Sequence, residues 1–331
     1  MGLRDNIKER GDCMKIKNLI LFFLIFFLLS SCSSTVEIHE MVSLDDNEYV
    51  DIILYNSTEE VLNECKEKLS YYLKLLDREN TYEDLENVCS LNTKKMVALS
   101  EELVEGIHYA EDILAQYEVA SLLAGGLNDL WDAAYEQKIT PSEEAIQKEL
   151  QKIKTSSLKF EKNTVSIIGD ASLDLDFMKR GFILSKLKSY LISEGVSEYI
   201  INFSSRTIIY GQDPKTKYFT CSFYGIKNGY YKIEDMSMSC LGADIIVWYA
   251  EDGYRYTNIP SCVTGIPNDD YEKLFVFGSD PFLSDILAYA FFNMELEEIQ
   301  KEENENEVYA MMYKELNLVY RSSYLTELMV E

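Results

Sequence analysis

The chain has 331 residues and is strongly acidic, with 57 Asp and Glu residues against 31 Lys and Arg residues and a formal net charge of −26. A surface with this charge repels phosphate backbones and anionic lipid headgroups, which argues against nucleic acid as a partner and against membrane binding through a basic face. The cysteines after position 32 are odd in number and form no CxxC pair, so neither a disulfide framework nor a zinc site is indicated.

The N-terminus has the layout of an export signal. Two lysines precede an unbroken apolar run over residues 19–29, and small residues follow up to Cys32. The run is shorter than the about 20 residues that span a membrane, and a short anchor helix is the alternative interpretation. The sequence Leu-Ser-Ser-Cys that ends at Cys32 is similar to a bacterial lipobox, whose cysteine is acylated after cleavage. We therefore predict a signal peptide over residues 1–31, with a true start at Met14, and lipidation of Cys32.

Removal of that signal leaves 300 residues and a formal charge of −28, because the removed segment carries five basic and three acidic residues. Residues 32–47 are polar and unpatterned, which is typical of a tether, and His39 falls inside them. The other histidine, His108, is interpreted as an ordinary, partly buried helix residue. Residues 48–331 are enough for one large domain. These features predict a lipid-anchored protein of the bacterial cell envelope.

Helices are predicted mainly in the first half of that domain. Residues 57–60, Ser-Thr-Glu-Glu, are a capping box that opens a helix to about residue 76. The sequence Thr-Pro-Ser-Glu at 140–143 is a second helix start. The acidic run over residues 295–307 is interpreted as a solvated helix end and loop. The further predicted helices cover residues 100–116, 120–136, 140–154, 174–193 and 280–294.

Strands dominate the second half of the chain. The pair Asp252-Gly253 between alternating aromatic residues is typical of a hairpin turn. This order of elements predicts an α+β domain with a mixed or antiparallel sheet and packed helices. The predicted strands cover residues 49–55, 158–160, 164–168, 198–203, 207–210, 218–223, 230–233, 245–250, 273–277, 308–313 and 318–320.

Three segments combine an acidic residue with tight-turn residues, and the first is LDLDFMKRGF at 173–182. Asp174 is predicted at the start of a helix, with Arg180 and Gly181 about two turns further on. The alternative is purely structural: Asp174 or Asp176 caps the helix, and Gly181 permits close packing.

The other two segments follow the predicted sheet. In SDPFLSDILAYAFF at 279–292, Asp285 lies on a strongly apolar helix, where an acid costs several kcal/mol unless it is paired or metal-bound. The alternative is that Asp285 projects from a polar face. The loop EDGYRYTNIPSCVTGIP at 251–267 contains more turn residues than a plain connection requires.

In this order the segments resemble the ApbE family of FAD:protein FMN transferases. That family carries a DLGxxxKG-like segment, a Gly-Gly-Asp turn, a TSG-like turn, a DGxRYxHIxDPxTGxP loop and a DAxxT helix. The stretches LENVCSLN at 85–92 and GGLNDLW at 125–131 are similar to two further family stretches, and the resemblance covers residues 48–325. The counterparts of the five motifs here are residues 174–181, 204–206, 239–242, 251–267 and 284–292.

The resemblance implies a T-fold-like domain that binds FAD and Mg²⁺. It also implies transfer of the FMN half of FAD to a threonine of an exported target protein, with release of AMP. The implied flavin-binding residues are Asp174, Arg180, Ser121 and Ile259. The implied metal ligands are Asp285, Tyr289 and the main-chain carbonyl of Phe177.

Several implied site residues differ in type from the family pattern. The differences are Arg180 for lysine, Tyr289 for threonine, Ser121 for aspartate, Asn258 for histidine, Ser204-Ser205-Arg206 for Gly-Gly-Asp, Cys240-Leu241 for Thr-Ser and Ser261-Cys262 for Asp-Pro. Two interpretations follow. The protein is a working though atypical flavin transferase or FAD-hydrolysing lipoprotein, or it is a non-catalytic flavin-binding or structural surface lipoprotein that keeps the fold.

Overall fold

The structure is a computed structural model, and it describes residues 35–44, 48–223, 229–242, 248–249, 255–268, 270–314 and 317–330. Nearly all of them belong to one folded unit, residues 37–331. The predicted signal peptide and Cys32 lie outside the described residues. Within the described residues, no helix is long and apolar enough to cross a membrane. No disulfide joins the five cysteines in this part of the chain.

The described part of the chain forms nine helices. They are α1 (Glu59–Leu76), α2 (Val88–Lys94), α3 (Glu101–Leu114), α4 (Gly125–Gln137), α5 (Glu143–Thr155), α6 (Lys179–Ser193), α7 (Pro281–Phe291), α8 (Leu296–Asn306) and α9 (Ser323–Glu327).

Local capping explains where several of these helices begin. Thr58 caps α1 by accepting a hydrogen bond from Val61 N, so the cap lies one residue after Ser57, where the predicted capping box at residues 57–60 places it. Asp280 caps α7, whose first residue is a proline. The cap of α5 is Ser142, so this helix begins after Pro141.

Two helix predictions need correction. The acidic run is not a helix end with a loop but a separate helix, α8, which begins at its own capping box at Glu295. His108 is exposed on α3 rather than partly buried, and its Nδ1 lies 3.0 Å from Asp112 Oδ2.

The described part of the chain also contains sixteen strands. They are β1 (Glu37–Ser43), β2 (Tyr49–Tyr55), β3 (Met96–Ala98), β4 (Ser157–Glu161), β5 (Thr164–Ile168), β6 (Tyr199–Phe203), β7 (Thr207–Tyr210), β8 (Phe219–Cys221), β9 (Tyr230–Ile233), β10 (Met236–Gly242), β11 (Trp248–Tyr249), β12 (Arg255–Tyr256), β13 (Lys273–Gly278), β14 (Tyr309–Lys314), β15 (Asn317–Arg321) and β16 (Met329–Val330).

The central sheet has eight strands in the order β1-β2-β6-β7-β10-β13-β14-β15, and every neighbouring pair is antiparallel. The predicted α+β fold is confirmed in its antiparallel form. β1 pairs with β2 along its whole length, and Glu40 on β1 forms a 2.8 Å ion pair with Lys66 on α1. The tether predicted over residues 32–47 therefore does not hold for residues 37–43, which are an edge strand.

Side chains alternate between the two faces of this sheet, because successive residues of a strand point to opposite sides. One face packs on α1, α6 and α7 and contributes Ile52, Ile201 and Val276 to the main core. The other face packs against β8 and β9 and contributes Phe275 and Phe277. β13 is buried on both faces, which explains why its sequence is apolar almost without alternation.

The sequence does not predict β10, and residues 239–242 lie in this strand rather than in a turn. Its methionines join the core on the β8–β9 side. Its serines face α7: Ser237 Oγ lies 3.1 Å from Ser284 Oγ, and Ser239 bonds the carboxylate on the same helix. Serine is not among the residues enriched in strands, so an alternation of methionine and serine carries little strand signal.

A tight turn joins β6 to β7 at Ser204 and Ser205, whose φ angles are +54° and +56°. Arg206 N donates to Phe203 O at 3.0 Å, which makes this a type I′ hairpin turn. Both positions favour glycine. Hydrogen bonds of the serine side chains offset the strain, since Ser204 Oγ accepts from Tyr49 N at 3.0 Å and Ser205 Oγ lies 2.8 Å from Tyr49 Oη.

We predict that Ser205→Gly stabilises the protein by about 0.5 to 1 kcal/mol, because relief of the left-handed penalty of a Cβ outweighs the loss of the exposed hydrogen bond between Ser205 Oγ and Tyr49 Oη. Ser189→Gly, on the exposed side of α6, is the matched control. The same chemical change there costs about 0.5 kcal/mol, because glycine is a poor helix former. Urea unfolding measures both shifts, and a loss of stability in Ser205→Gly would contradict the assignment of strain to this turn.

Candidate functional site

Asp285, on the first turns of α7, lies at the centre of the site. It is only 1% exposed, which excludes the polar helix face as an interpretation. Gly181 N donates to Oδ2 at 2.6 Å, Thr207 Oγ1 donates to Oδ1 at 2.9 Å, and Ser239 adds a third hydrogen bond. Burial has the largest effect on the pKa of Asp285 and raises it to about 6, whereas these hydrogen bonds and the charge on Arg180 act to lower it. The carboxylate therefore joins α6, α7, β7 and β10.

Glycine at position 181 permits this contact. A Cβ at Gly181 would lie 2.3 Å from Pro281 O and 2.8 Å from Asp285 Cγ. A larger residue would push α6 away from α7. The close packing that the sequence suggests for Gly181 is confirmed, and it occurs directly beside the acid.

Tyr289 lies one helical turn after Asp285, and its ring stacks on Phe177 with centroids 5.0 Å and planes 12° apart. Tyr289 is buried, and burial raises the pKa of its phenol well above the ordinary value. Asn128 and Cys262 lie next to the hydroxyl, yet neither meets hydrogen-bond geometry. The phenol oxygen thus has different neighbours from the oxygens of Asp285.

Asp174 is buried in the loop before α6 and does not open this helix, which begins at Lys179 without a side-chain cap. Both the predicted helix start at Asp174 and the capping role for Asp174 or Asp176 are therefore wrong. Asp174 Oδ2 accepts hydrogen bonds from Arg78 Nη1 and Asn128 Nδ2, each at 2.8 Å. Asp174 Oδ1 accepts from Asp176 N at 2.8 Å.

Arg78, in the loop after α1, is a site residue that the motifs do not predict. Its Nη2 lies 2.6 Å from Asp129 Oδ1, and its Nη1 lies 2.8 Å from Asp174 Oδ2 and 3.6 Å from Asp176 Oδ2. Burial alone would lower the pKa of Arg78, but the three carboxylates hold it above the ordinary value. The only signal in the sequence is a basic residue directly after an amphipathic helix.

Arg180 is 7% exposed and pairs through Nη2 with Glu48, in the segment before β2. Its guanidinium lies 5.7 Å from the centre of the Phe203 ring, and its Nε is buried without a partner. Burial would raise the pKa of Glu48, but the charges of Arg180 and Lys179 hold it below the usual value. A cavity of about 510 Å³ is lined by Glu48, Arg78 and Lys179.

The segment 257–267 is held against α4 and α5. Trp131 Nε1 donates to Gly265 O at 2.8 Å. Gly265 has a φ of +72°, and a Cβ there would lie 2.2 Å from a side chain of α5, which explains the glycine in the Thr-Gly-x-Pro ending. The predicted turn at residues 252–253 lies outside the described residues, and β11 and β12 on either side of it pair in antiparallel register.

Ser121 and Ile259 lie on two neighbouring loops. The backbone N–H of Ser121 approaches the thiol of Cys262, and Cys262 N donates to Val119 O at 2.8 Å. A cavity of about 460 Å³ borders Ser121 and Cys262. Ile259 is fully buried, and its N–H donates to Thr257 Oγ1 at 3.4 Å. Flavin contacts through Ser121 and Ile259 stay predictions.

Four buried polar atoms of this region have no hydrogen-bond partner. Asn258 Nδ2 donates to Asp132 Oδ1 at 3.1 Å, and Asn128 lies one turn before Asp132 on α4, so the two asparagines border the same face of that helix. Buried polar groups of native proteins are nearly always satisfied, so this set fits a polar ligand such as a dinucleotide. The four atoms are Asn128 Oδ1, Asn258 Oδ1, Arg180 Nε and Tyr289 Oη.

The described residues do not fit the Mg²⁺ ligand set that the resemblance implies. Mg²⁺ requires nearly octahedral oxygen ligands at about 2.0–2.1 Å. Both oxygens of Asp285 already accept hydrogen bonds, and the ring of Tyr289 takes the place of a short hydroxyl side chain, with the ring of Phe177 stacked on it. Among the described residues, no group of three or more His, Cys, Asp and Glu could hold a metal ion.

We predict that Arg78→Met destabilises the protein by about 3 kcal/mol, because it leaves the buried carboxylate of Asp174 without its cation. Asp129→Ala is the matched control, because it removes the carboxylate at the other end of the same guanidinium. The side chain of Asp129 is 59% exposed. Loss of that exposed pair costs less than about 1 kcal/mol. Denaturant unfolding compares the two variants, and equal losses would contradict the structural role of the Arg78–Asp174 pair.

Comparisons with known proteins agree with the fold and with the order of the motifs. The flavin transferase ApbE from Vibrio cholerae is 16% identical with a TM-score of 0.68, and the match covers 89% of this chain and 99% of that chain. The apo flavinyl transferase ApbE from Pseudomonas stutzeri is 15% identical with a TM-score of 0.74, covering 89% and 97%. The ApbE protein from Thermotoga maritima is 17% identical with a TM-score of 0.72, covering 90% and 100%.

The search of curated proteins gave no match. The structural likenesses, all under 25% identity, establish the fold. The match to a family model goes further, because the model described as the ApbE family aligns with residues 46–312, which is most of the chain. This chain belongs to the ApbE family.

Proposed function

We propose that this protein binds FAD and transfers its FMN half to a threonine hydroxyl of an exported target protein. Membership of the ApbE family supports the proposal, as do the names of the similar structures from Vibrio cholerae and Pseudomonas stutzeri. The observation that carries it is the convergence of Asp174, Arg180 and Asp285 at one buried site that also holds unpartnered polar atoms.

The reaction requires positioning and charge neutralisation more than covalent chemistry. The threonine oxygen forms a bond to the phosphorus of the FMN half, the bond from that phosphorus to the AMP oxygen breaks, AMP leaves with that oxygen, and the hydroxyl proton is released. Within this chain, Asp174 would accept one hydrogen bond from the flavin nucleotide, because its three protein donors leave about one lone-pair site of the carboxylate free. The guanidinium group of Arg180 would supply fixed positive charge toward phosphate oxygens.

A second function, flavin binding without catalysis, is favoured by one specific observation. The ring of Tyr289 fills the space beside Asp285, and the carboxylate oxygens are held by protein donors. A site arranged in this way retains the buried residues that would hold a ligand while lacking the ligand set that the resemblance implies for the metal. The two functions differ in turnover and not in FAD affinity.

We predict saturable FAD binding by the purified protein and an affinity at least about tenfold weaker in Asp174→Asn. The loss corresponds to one hydrogen bond to a charged group in a buried site. Asp170→Asn, an exposed aspartate four residues earlier, is the control and should bind as the wild type does. Flavin fluorescence measures the affinity, and circular dichroism shows whether each variant is folded.

Release of AMP from FAD separates the two functions. If the protein is a transferase, we expect one AMP to be released for each threonine-containing acceptor peptide that becomes labelled with flavin. The assay is run with and without Mg²⁺. Saturable binding without AMP release would establish the non-catalytic function. An absence of FAD binding in the wild type would contradict both.

We also propose that the protein is an exported lipoprotein anchored through Cys32, because the N-terminal sequence has the order of a signal peptide and a lipobox. Cys32→Ala should abolish acylation and release the protein from the membrane fraction. Cys13→Ala is the control, since it lies in the segment that cleavage removes. Fractionation with a palmitate label measures both, and Cys32→Ala protein that still sediments with membranes would contradict lipid anchoring.

A further inference from the structure

We infer that this protein holds its flavin nucleotide without a divalent cation between Asp285, Tyr289 and Phe177, and that Arg180 supplies the positive charge there instead. The inference rests on the proposed FAD binding and concerns the same site. It follows from the hydrogen bonds that Asp285 accepts, from the stacked rings of Tyr289 and Phe177, and from the charge of Arg180.

The carboxylate of Asp285 is the first reason. Its oxygens receive donors from three elements: Gly181 N at 2.6 Å, Thr207 Oγ1 at 2.9 Å and the side chain of Ser239. These donors use three of the roughly four lone-pair sites of the carboxylate, which leaves about one for a cation. Gly181 N cannot turn away, because its backbone is fixed by the contact between α6 and α7.

Tyr289 is the second reason. A threonine one turn after Asp285 would place a small hydroxyl near the carboxylate. The phenol instead places a flat ring there, parallel to the ring of Phe177, and its oxygen lies beside Asn128 and Cys262. The stacked pair therefore fills the volume that a hydrated cation would need, since Mg²⁺ usually keeps several of its waters.

Arg180 provides the charge that such a site still requires. It is 7% exposed, close enough to act electrostatically on Asp285, and its Nε is buried without a partner while Nη2 binds Glu48. A guanidinium is always charged, and its fork of N–H donors matches phosphate oxygens. Where the family pattern has lysine, a point charge, this chain has the residue better suited to binding phosphate directly.

Two measurements on the purified full-length protein test the inference. The first is the FAD affinity from flavin fluorescence in EDTA and in excess Mg²⁺. We expect values equal within about twofold, and an affinity at least about tenfold weaker in Arg180→Gln in both buffers. Wild-type affinity that falls about tenfold or more in EDTA would overturn the inference, and so would Arg180→Gln binding at the wild-type level.

The second measurement uses Mn²⁺ alone as a probe, without flavin. The electron paramagnetic resonance signal of free Mn²⁺ disappears on binding. We expect the wild type and Asp285→Asn to leave the same amount of Mn²⁺ free. Mn²⁺ that is bound by the wild type but not by Asp285→Asn would overturn the inference. If FAD binds in neither buffer, the proposed function fails, and the Mn²⁺ result alone decides whether Asp285 is a cation ligand.

Discussion

The buried carboxylate of Asp285 is the contact on which the geometry of the site depends. A carboxyl group inside an apolar helix is tolerated only when hydrogen-bond donors satisfy it. The donors here come from α6, β7 and β10. One side chain of α7 therefore holds three other elements, which are distant from it in sequence, in contact with this helix. Because α6 follows directly on the loop of Asp174, the same contact also sets where Asp174 and Arg180 lie relative to α7.

The features that this chain keeps from the family pattern mainly serve backbone geometry. Gly181 and Gly265 lie where a Cβ would collide with neighbouring atoms, so substitution there would displace packed elements. Residues that would face a ligand are under a different constraint. Tyr289 and Arg180 differ in chemical type from the residues of the family pattern, although the fold is that of the similar ApbE structures. Even the glycine-favouring turn at residues 204–205 keeps its conformation with serines, because their hydroxyl groups bond to Tyr49.

Much of the fold can be predicted from the sequence because its signals are local. The caps of α1 and α7 lie within three residues of the helices they begin. The site is harder to predict because its partners are remote in sequence, as Gly181 and Asp285 are 104 positions apart and Arg78 and Asp174 are 96. The sequence does not predict β10 for a related reason. Its serines are polar in sequence but are buried against α7, a helix that is remote in sequence. The motifs predict Asp174 and Asp285 as site residues, but nothing near Arg78 in the sequence marks it as the cation beside Asp174.

A crystal structure of the FAD complex grown with Mn²⁺ would show whether Asp285 binds a cation beside the flavin nucleotide. Data would be collected at a wavelength where manganese scatters anomalously. We expect flavin nucleotide density beside Asp174 and Arg180, the Phe177–Tyr289 stack in place and no anomalous peak within coordination distance of Asp285. A manganese peak bound to the carboxylate of Asp285, or flavin bound away from Asp174 and Arg180, would contradict this expectation.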